Sequence, residues 1–241
     1  MNEELRVLTG SGRWQELVRS GLFAADSATI CDRLGCDLAL SGDGDKTMRA
    51  IGLALALAAL AGATSARAGD REDCSNAEAV LKIEPARAVT ACRRLAEQGN
   101  VEAEVNLGAM YFNGWGVSPD YATAAKWYRK AADQGDPGAQ YNMGDMCAHG
   151  WGEPQDYAEA AMWYQKAADQ GDSDAQYNLG VIYAEGRGVP RSYVQAHMWW
   201  SLSAAGGDAL AGKARDELAV RMTAAQIEQA TALAVAWRQN H

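Results

Sequence analysis

Three consecutive stretches of this chain are copies of one another. Ala103–Gly138, Ala139–Asp174 and Ala175–Leu210 align without a gap, and each starts 36 residues after the last. A period of this size marks a repeat architecture, because one short unit cannot bury its own apolar face and must stack on its neighbours. Within a unit, Ala103, Leu107, Gly108 and Tyr111 stand at helical spacing and predict a first helix, A. Gly114-Trp-Gly116, Gly150-Trp-Gly152 and Gly186-Arg-Gly188 end it, with glycines suited to a tight reversal. Asp120, Asp156 and Ser192 are good N-caps for a second helix, B, and Asp156-x-x-Glu159 and Ser192-x-x-Gln195 read as capping boxes. Gly135, Gly171 and Gly207 stop helix B. Gly108, Gly144 and Gly180 share one phase inside helix A, where each costs about 1 kcal/mol against Ala, so close helix approach is expected there.

The period fades at both ends. Arg93–Asn100 repeats the end of helix B in phase, which predicts a degenerate earlier repeat whose first helix lies near Ser75–Lys82. Downstream, Thr223-Ala-Ala-Gln226 reads as a capping box. Ile227, Ala230, Leu233, Ala234 and Trp237 then follow as the stripe of a terminal capping helix over 223–241.

Residues 48–68 have the parts of a secretory signal: Arg49, an apolar run Ile51–Ala63, and Ala66-Arg67-Ala68. The run is shorter than the roughly 20 residues of a comfortable membrane span. Cleavage near Ala68 predicts a periplasmic or secreted protein that meets the membrane only transiently. The alternative is an inner-membrane protein anchored by residues 48–68. Met48 stands where an initiator would, so residues 1–47 read as a poorly ordered extension and an over-called start. Residues 69–85 form a charged lead-in to a repeat domain over 86–222.

Acidic residues outnumber basic ones, 31 to 22, which argues against a broad nucleic-acid footprint. The five cysteines form no C-x-x-C pair, so no zinc framework is expected. Export permits disulfides, and Cys74 with Cys92 is the candidate pair. Cys147 reads as a small buried apolar residue. The three histidines form no metal spacing and no G-x-S-x-G elbow occurs. No catalytic residue, metal or cofactor is expected, and the Asp-Gln-Gly-Asp turns read as caps.

The motifs A-x-x-x-L-G-x-x-Y at Ala175–Tyr183, G-x-G-V at Gly114–Val117 and Gly186–Val189, and D-Y-x-x-A-x-x-W-Y-x-K-A-A-x-x-G at Asp120–Gly135 and Asp156–Gly171 resemble the Sel1-like repeat family, relatives of the tetratricopeptide repeats. The resemblance implies an all-α, right-handed superhelix of antiparallel helix pairs, and a bacterial adaptor or scaffold for other proteins. Two departures, Cys147 at the Tyr111/Tyr183 phase and Glu153 at the Val117/Val189 phase, predict a looser middle repeat. By analogy with tetratricopeptide stacks, A helices line the concave side. The partner-binding candidates are therefore Val105, Tyr141, Tyr177, Asp145, Phe112 and His149, facing an unidentified protein or peptide. Trp115 and Trp151 are expected to fold back over a helix B start. Two rival readings stay open: an envelope enzyme acting on β-lactams or peptidoglycan, and a purely structural envelope protein.

Overall fold

The computed structural model describes residues 69–75 and 84–241, and every structural statement below concerns those residues. The expected extension and signal, residues 1–68, and most of the Ser75–Lys82 helix lie outside them. Residues 69–75 are themselves helical. Nine further helices follow: α1 Pro85–Ala96, α2 Val101–Asn113, α3 Tyr121–Asp133, α4 Pro137–His149, α5 Tyr157–Asp169, α6 Ser173–Glu185, α7 Tyr193–Ala205, α8 Ala209–Ala219 and α9 Ala224–Asn240. Helices α1 to α7 each pack on the next in sequence; α4 also touches α6, and α9 lies against α7. The architecture is an all-α solenoid in which α2/α3, α4/α5 and α6/α7 are the three complete A/B pairs.

The caps explain the helix starts. Asn100, Asp120, Asp136, Asp172 and Ser192 each accept a backbone N–H from the first turn of the helix they precede. A complete capping box forms only at Thr223/Gln226. Asp156 caps Ala158 and Glu159 with one oxygen, but the Glu159 carboxylate turns away to Arg129, 3.0 Å off. The expected box is therefore half made, because a charge-assisted bond outcompetes the neutral return bond. Each helix A ends on a left-handed glycine: Gly114, Gly150 and Gly186, with φ of 74°, 71° and 71°. The second glycine of each pair has a different reason. A Cβ on Gly152 would lie 2.5 Å from the Tyr121 carbonyl oxygen, and one on Gly116 would lie 2.9 Å from that of Pro85. These loops rest against the first residues of the preceding helix B, so the second glycine joins repeat to repeat.

Inside a repeat, A and B meet at the mid-helix glycines. A Cβ on Gly108 would sit 2.8 Å from the Tyr128 ring, and one on Gly144 2.5 Å from that of Tyr164; Gly180 faces the Trp200 indole in the same way. The missing methyl lets a large ring lie flat on the A backbone. Leu107, Met143 and Leu179 fill the space beside it with no exposed surface.

The first repeat uses the same phases with different chemistry. Cys74 and Cys92 form a disulfide with Cα atoms 4.9 Å apart, and both are buried. Adding 36 carries Cys74 onto Met110 and Cys92 onto Tyr128. The covalent link thus stands where later repeats pack a buried Met or Ile in helix A and a buried ring in helix B. Asp73 and Asp70 reach Arg87 and Arg94 of α1 at 2.7 and 3.4 Å, fastening residues 69–75 in the helix A slot.

At the other end, α9 covers helix B of the last repeat. Ala230 and Ala234 are buried, and Trp237 meets Trp199 edge to face at 6.2 Å. The B helices show where this cover begins. Lys130 and Lys166 each lie 3.9 Å over a tryptophan of their own helix, Trp127 and Trp163. The third position in that phase is Leu202, which is buried.

Candidate functional site

The candidate partner-binding residues all lie on A helices, where buried and partly exposed phases alternate. Positions 105/141/177 and 109/145/181 are half-buried, and 113/149/185 are exposed. The structure sorts the candidates into two groups. Tyr141, Asp145 and Tyr177 stand on the middle of α4 and α6. Phe112 and His149 stand at the far ends of α2 and α4.

Asp145 is the hub of the first group. The Tyr164 hydroxyl donates to its Oδ1 at 2.5 Å, and Asn178 of α6 donates to the same oxygen at 3.4 Å. Tyr141 packs on Tyr164 with centroids 5.9 Å apart. Burial, then the negative charge of Asp145, pushes both tyrosine hydroxyls well above their ordinary range. Tyr177 sits over Trp200 at 6.4 Å, and the Trp200 indole donates to its carbonyl oxygen at 3.0 Å. Val105 packs on the same central core as Tyr141.

The second group is tied by Trp151. Its indole lies 5.1 Å from Phe112, stacks on Tyr121 at 6.2 Å and carries the His149 ring at 4.4 Å. His149 Nδ1 lies 2.8 Å from the Asp145 carbonyl oxygen. Trp151 thus folds over the start of the preceding helix B. Trp115 does not: it stays 51% exposed. One repeat before the Tyr121 phase stands Pro85 instead of a ring.

Sequence reasoning missed a charged junction. Arg129 of α3 donates to Glu153 at 2.7 Å and to Glu159 at 3.0 Å. Cys147 lies against them, and the ligand atoms of Cys147, Glu153 and Glu159 fall within 4.8 Å of one another. Such a set has metal-ligand chemistry, but the Arg129 guanidinium already supplies the cation. Burial pushes the Cys147 thiol up to about 11, with the two carboxylates adding to the effect, so it stays protonated near neutrality. The two departures of the middle repeat thus meet at one junction, through Arg129. One repeat earlier, Arg93 occupies the Arg129 phase and donates to the Tyr111 hydroxyl at 2.7 Å. Where Cys147 replaces that tyrosine, Glu153 and Glu159 receive the arginine. The signal was present in the sequence as coordinated departures one period apart.

Also missed was a buried carboxylate. Glu104 is 2% exposed, at the phase of the buried amides Gln140 and Gln176. Those amides donate to the carbonyl oxygens of Ala132 and Ala168 at 3.1 and 3.2 Å. Glu104 instead accepts from Gln134 at 2.7 Å. Burial raises its pKa, against the pull of Lys130 and the Gln134 bond.

Stacked A/B pairs with a uniform core and a varied A-helix surface define a helical-repeat protein of the solenoid class. Comparison with known families makes this specific: the chain is a Sel1-like repeat protein, with the Sel1 repeat matching residues 101–136, 137–172 and 173–208. No curated protein matches the chain significantly. Among solved structures it is similar to a protective antigen of uropathogenic Escherichia coli strains displaying an SLR fold, at 34% identity and TM-score 0.63, covering 70% of this chain. It is also similar to a Sel1 repeat protein from Oxalobacter formigenes, at 36% identity and TM-score 0.54, covering 65% of this chain. The chain spans 38% of the length of the first and 65% of the second. Proteins built from these repeats bind other proteins, and the scaffold is generally non-catalytic.

Proposed function

We propose that this chain is an exported adaptor that holds a protein or peptide partner on the surface of its A helices. The observation that carries the reading is the split between shared and differing positions. Ala103, Ala139 and Ala175, with Leu107, Met143 and Leu179, are buried in every repeat. Two half-buried phases, Val105/Tyr141/Tyr177 and Ala109/Asp145/Val181, change from repeat to repeat, while the Asn106/Asn142/Asn178 phase does not. The mechanism is presentation rather than catalysis. A rigid stack fixes these side chains in advance and so reduces the entropy lost on binding.

Export is supported by the signal-like segment 48–68 together with the Cys74–Cys92 disulfide directly after it, since such links persist in oxidising compartments. Mass spectrometry of the exported protein tests this part. A mature start at Gly69 is expected, and peptides from residues 1–47 in that material would refute it. Binding is tested by capture from envelope extract, comparing the natural chain with Tyr141→Ala/Tyr177→Ala and with Ala109→Arg/Val181→Arg. The second pair adds bulk and charge to the face without removing a packed ring. Loss of the same captured protein with both pairs, at retained helicity, is expected. Capture that ignores both pairs would sink the reading.

A further inference from the structure

The three complete repeats are two-faced in charge. Helices α2, α4 and α6 contain no Lys or Arg. Among α1 to α7 the cations sit on α1, α3 and α5: Arg93, Arg94, Lys126, Arg129, Lys130 and Lys166, together with Arg87; the short helix 69–75 of the first cap adds Arg71. Acidic groups on the A side have two fates. Glu104 is buried and Glu185 pairs with Arg187, but Asp145, Asp172 and Asp174 have no ion-pair partner among the described residues. Burial first, and then the charges of these three carboxylates, push up the Tyr141 hydroxyl, and Asp174 and Asp145 both push up the Asp172 carboxyl, after burial as the larger cause. The donors that reach Asp145, from Tyr164 and Asn178, are neutral. The result is a surface of tyrosine rings and unneutralised carboxylates. A guanidinium or ammonium group meets both there, with carboxylates for its charge and ring faces for its cation–π attraction.

We propose that the A-helix face around Tyr141 and Tyr177 takes a Lys- or Arg-bearing segment of the partner protein. This rests on the adaptor reading and adds the chemistry of what is held. From Gly69 onward acidic residues still outnumber basic ones, 23 to 15, and that negative field also speeds the approach of such a segment. The basic B helices of a second copy are the competing occupant, and the test separates the two.

A random peptide library displayed on phage is panned against the purified protein. The enriched peptides are then titrated against Asp145→Asn/Asp174→Asn and against Asp216→Asn/Glu217→Gln. The second pair removes the same charge from exposed positions on α8. Asn keeps an acceptor for the Tyr164 hydroxyl, so the first pair is expected to fold. Enriched peptides are expected to carry Lys or Arg, to bind the A-face pair about tenfold more weakly, which is about 1.4 kcal/mol, and to bind the α8 pair as they bind the natural chain. Peptides lacking basic residues but lost with Tyr141→Ala/Tyr177→Ala would overturn the cationic partner while the adaptor reading stands. Peptides insensitive to every A-face substitution would overturn both. Self-association that disappears with Asp145→Asn/Asp174→Asn would assign the face to a second copy and overturn the proposal.

Discussion

Glu104→Gln should stabilise this protein. At the equivalent positions Gln140 and Gln176 donate to the carbonyl oxygens of Ala132 and Ala168, and Gln140 also accepts from Gln170 at 2.8 Å. Glu104 keeps the accepting half of this arrangement, through Gln134, and lacks the donating half. Counting back eight residues, as in both other repeats, the acceptor without its side-chain donor is the Ala96 carbonyl, which keeps only the Gly99 N–H at 3.0 Å. A glutamine restores one buried hydrogen bond, a net gain of about 1 kcal/mol. It also removes a charge from a site 2% exposed. The opposing loss is the attraction between Glu104 and exposed Lys130, worth a few tenths of a kcal/mol at most. A gain near 1 kcal/mol in a domain of this size raises Tm by about 2–4 °C.

The pH dependence has a definite sign. Burial raises the folded-state pKa of Glu104 above its ordinary 4.5, so the folded state favours the protonated acid. That preference stabilises the natural chain fully below 4.5 and is lost as pH rises through the raised value. A protonated Glu104 also has a hydroxyl with which to donate, as the amide does. The advantage of the variant should therefore be full at neutral pH and shrink towards zero as pH falls through the raised value to 4.5. Other titrations are common to both proteins and cancel in the difference. Paired thermal melts by far-UV circular dichroism across this window measure it. A lower Tm for the variant at neutral pH, or a difference that does not change with pH, would refute the reasoning.

Further outcomes are expected at the joints of the stack. Gly144→Ala drives a methyl to within 2.5 Å of the Tyr164 ring and should cost about 1–3 kcal/mol, read by urea denaturation; a neutral result would show that the ring can slide. Reducing Cys74–Cys92, whose cysteines are 18 residues apart, should cost about 3 kcal/mol and melt the first repeat ahead of the others, measured by hydrogen exchange with and without reductant. Arg129→Ala strands Glu153 and Glu159 beside the buried Cys147 and should lower Tm at neutral pH, with Arg129→Lys recovering only part because it lacks the two-armed fork.

Much of the architecture was legible because repetition multiplies weak signals. One glycine inside a helix says little, but three at one phase say that something large lies on the backbone, and Tyr128, Tyr164 and Trp200 lie there. The expected N-caps appear for the same reason. What escaped the sequence were interactions that cross from one repeat to the next with changed partners. Arg93 serves Tyr111, whereas Arg129 serves Glu153 and Glu159, and no single-repeat comparison links them. The half-made capping box at Asp156 has the same origin, since Glu159 is drawn to another repeat. Glu104 passed unnoticed because a carboxylate near a helix start looks like a first-turn acid, and only packing reveals that its phase is buried. Trp115 was misjudged because the repeat before it holds Pro85 where the Tyr121 phase holds a ring.

The two surfaces of the solenoid can be told apart by the rule that separates core from surface. On the B side the exposed chemistry recurs: Lys130 over Trp127 and Lys166 over Trp163 have the same 3.9 Å geometry. A feature copied with the fold needs no explanation beyond the fold, since each lysine shields the tryptophan beneath it. The pattern breaks at Leu202, and there α9 supplies the cover that the lysine supplied before. Shielding the B tryptophans is thus a structural requirement met in two ways. On the A side Asn106, Asn142 and Asn178 recur and Tyr141 repeats at Tyr177, but the next phase does not. Ala109, Asp145 and Val181 share a phase without sharing size, charge or polarity, although the backbone beneath them is the same. Stacking does not demand an aspartate in the middle repeat alone, where neutral donors hold it and it has no cation among the described residues. A residue that the fold does not require, in a position the fold leaves open to solvent, is where selection for a partner can act.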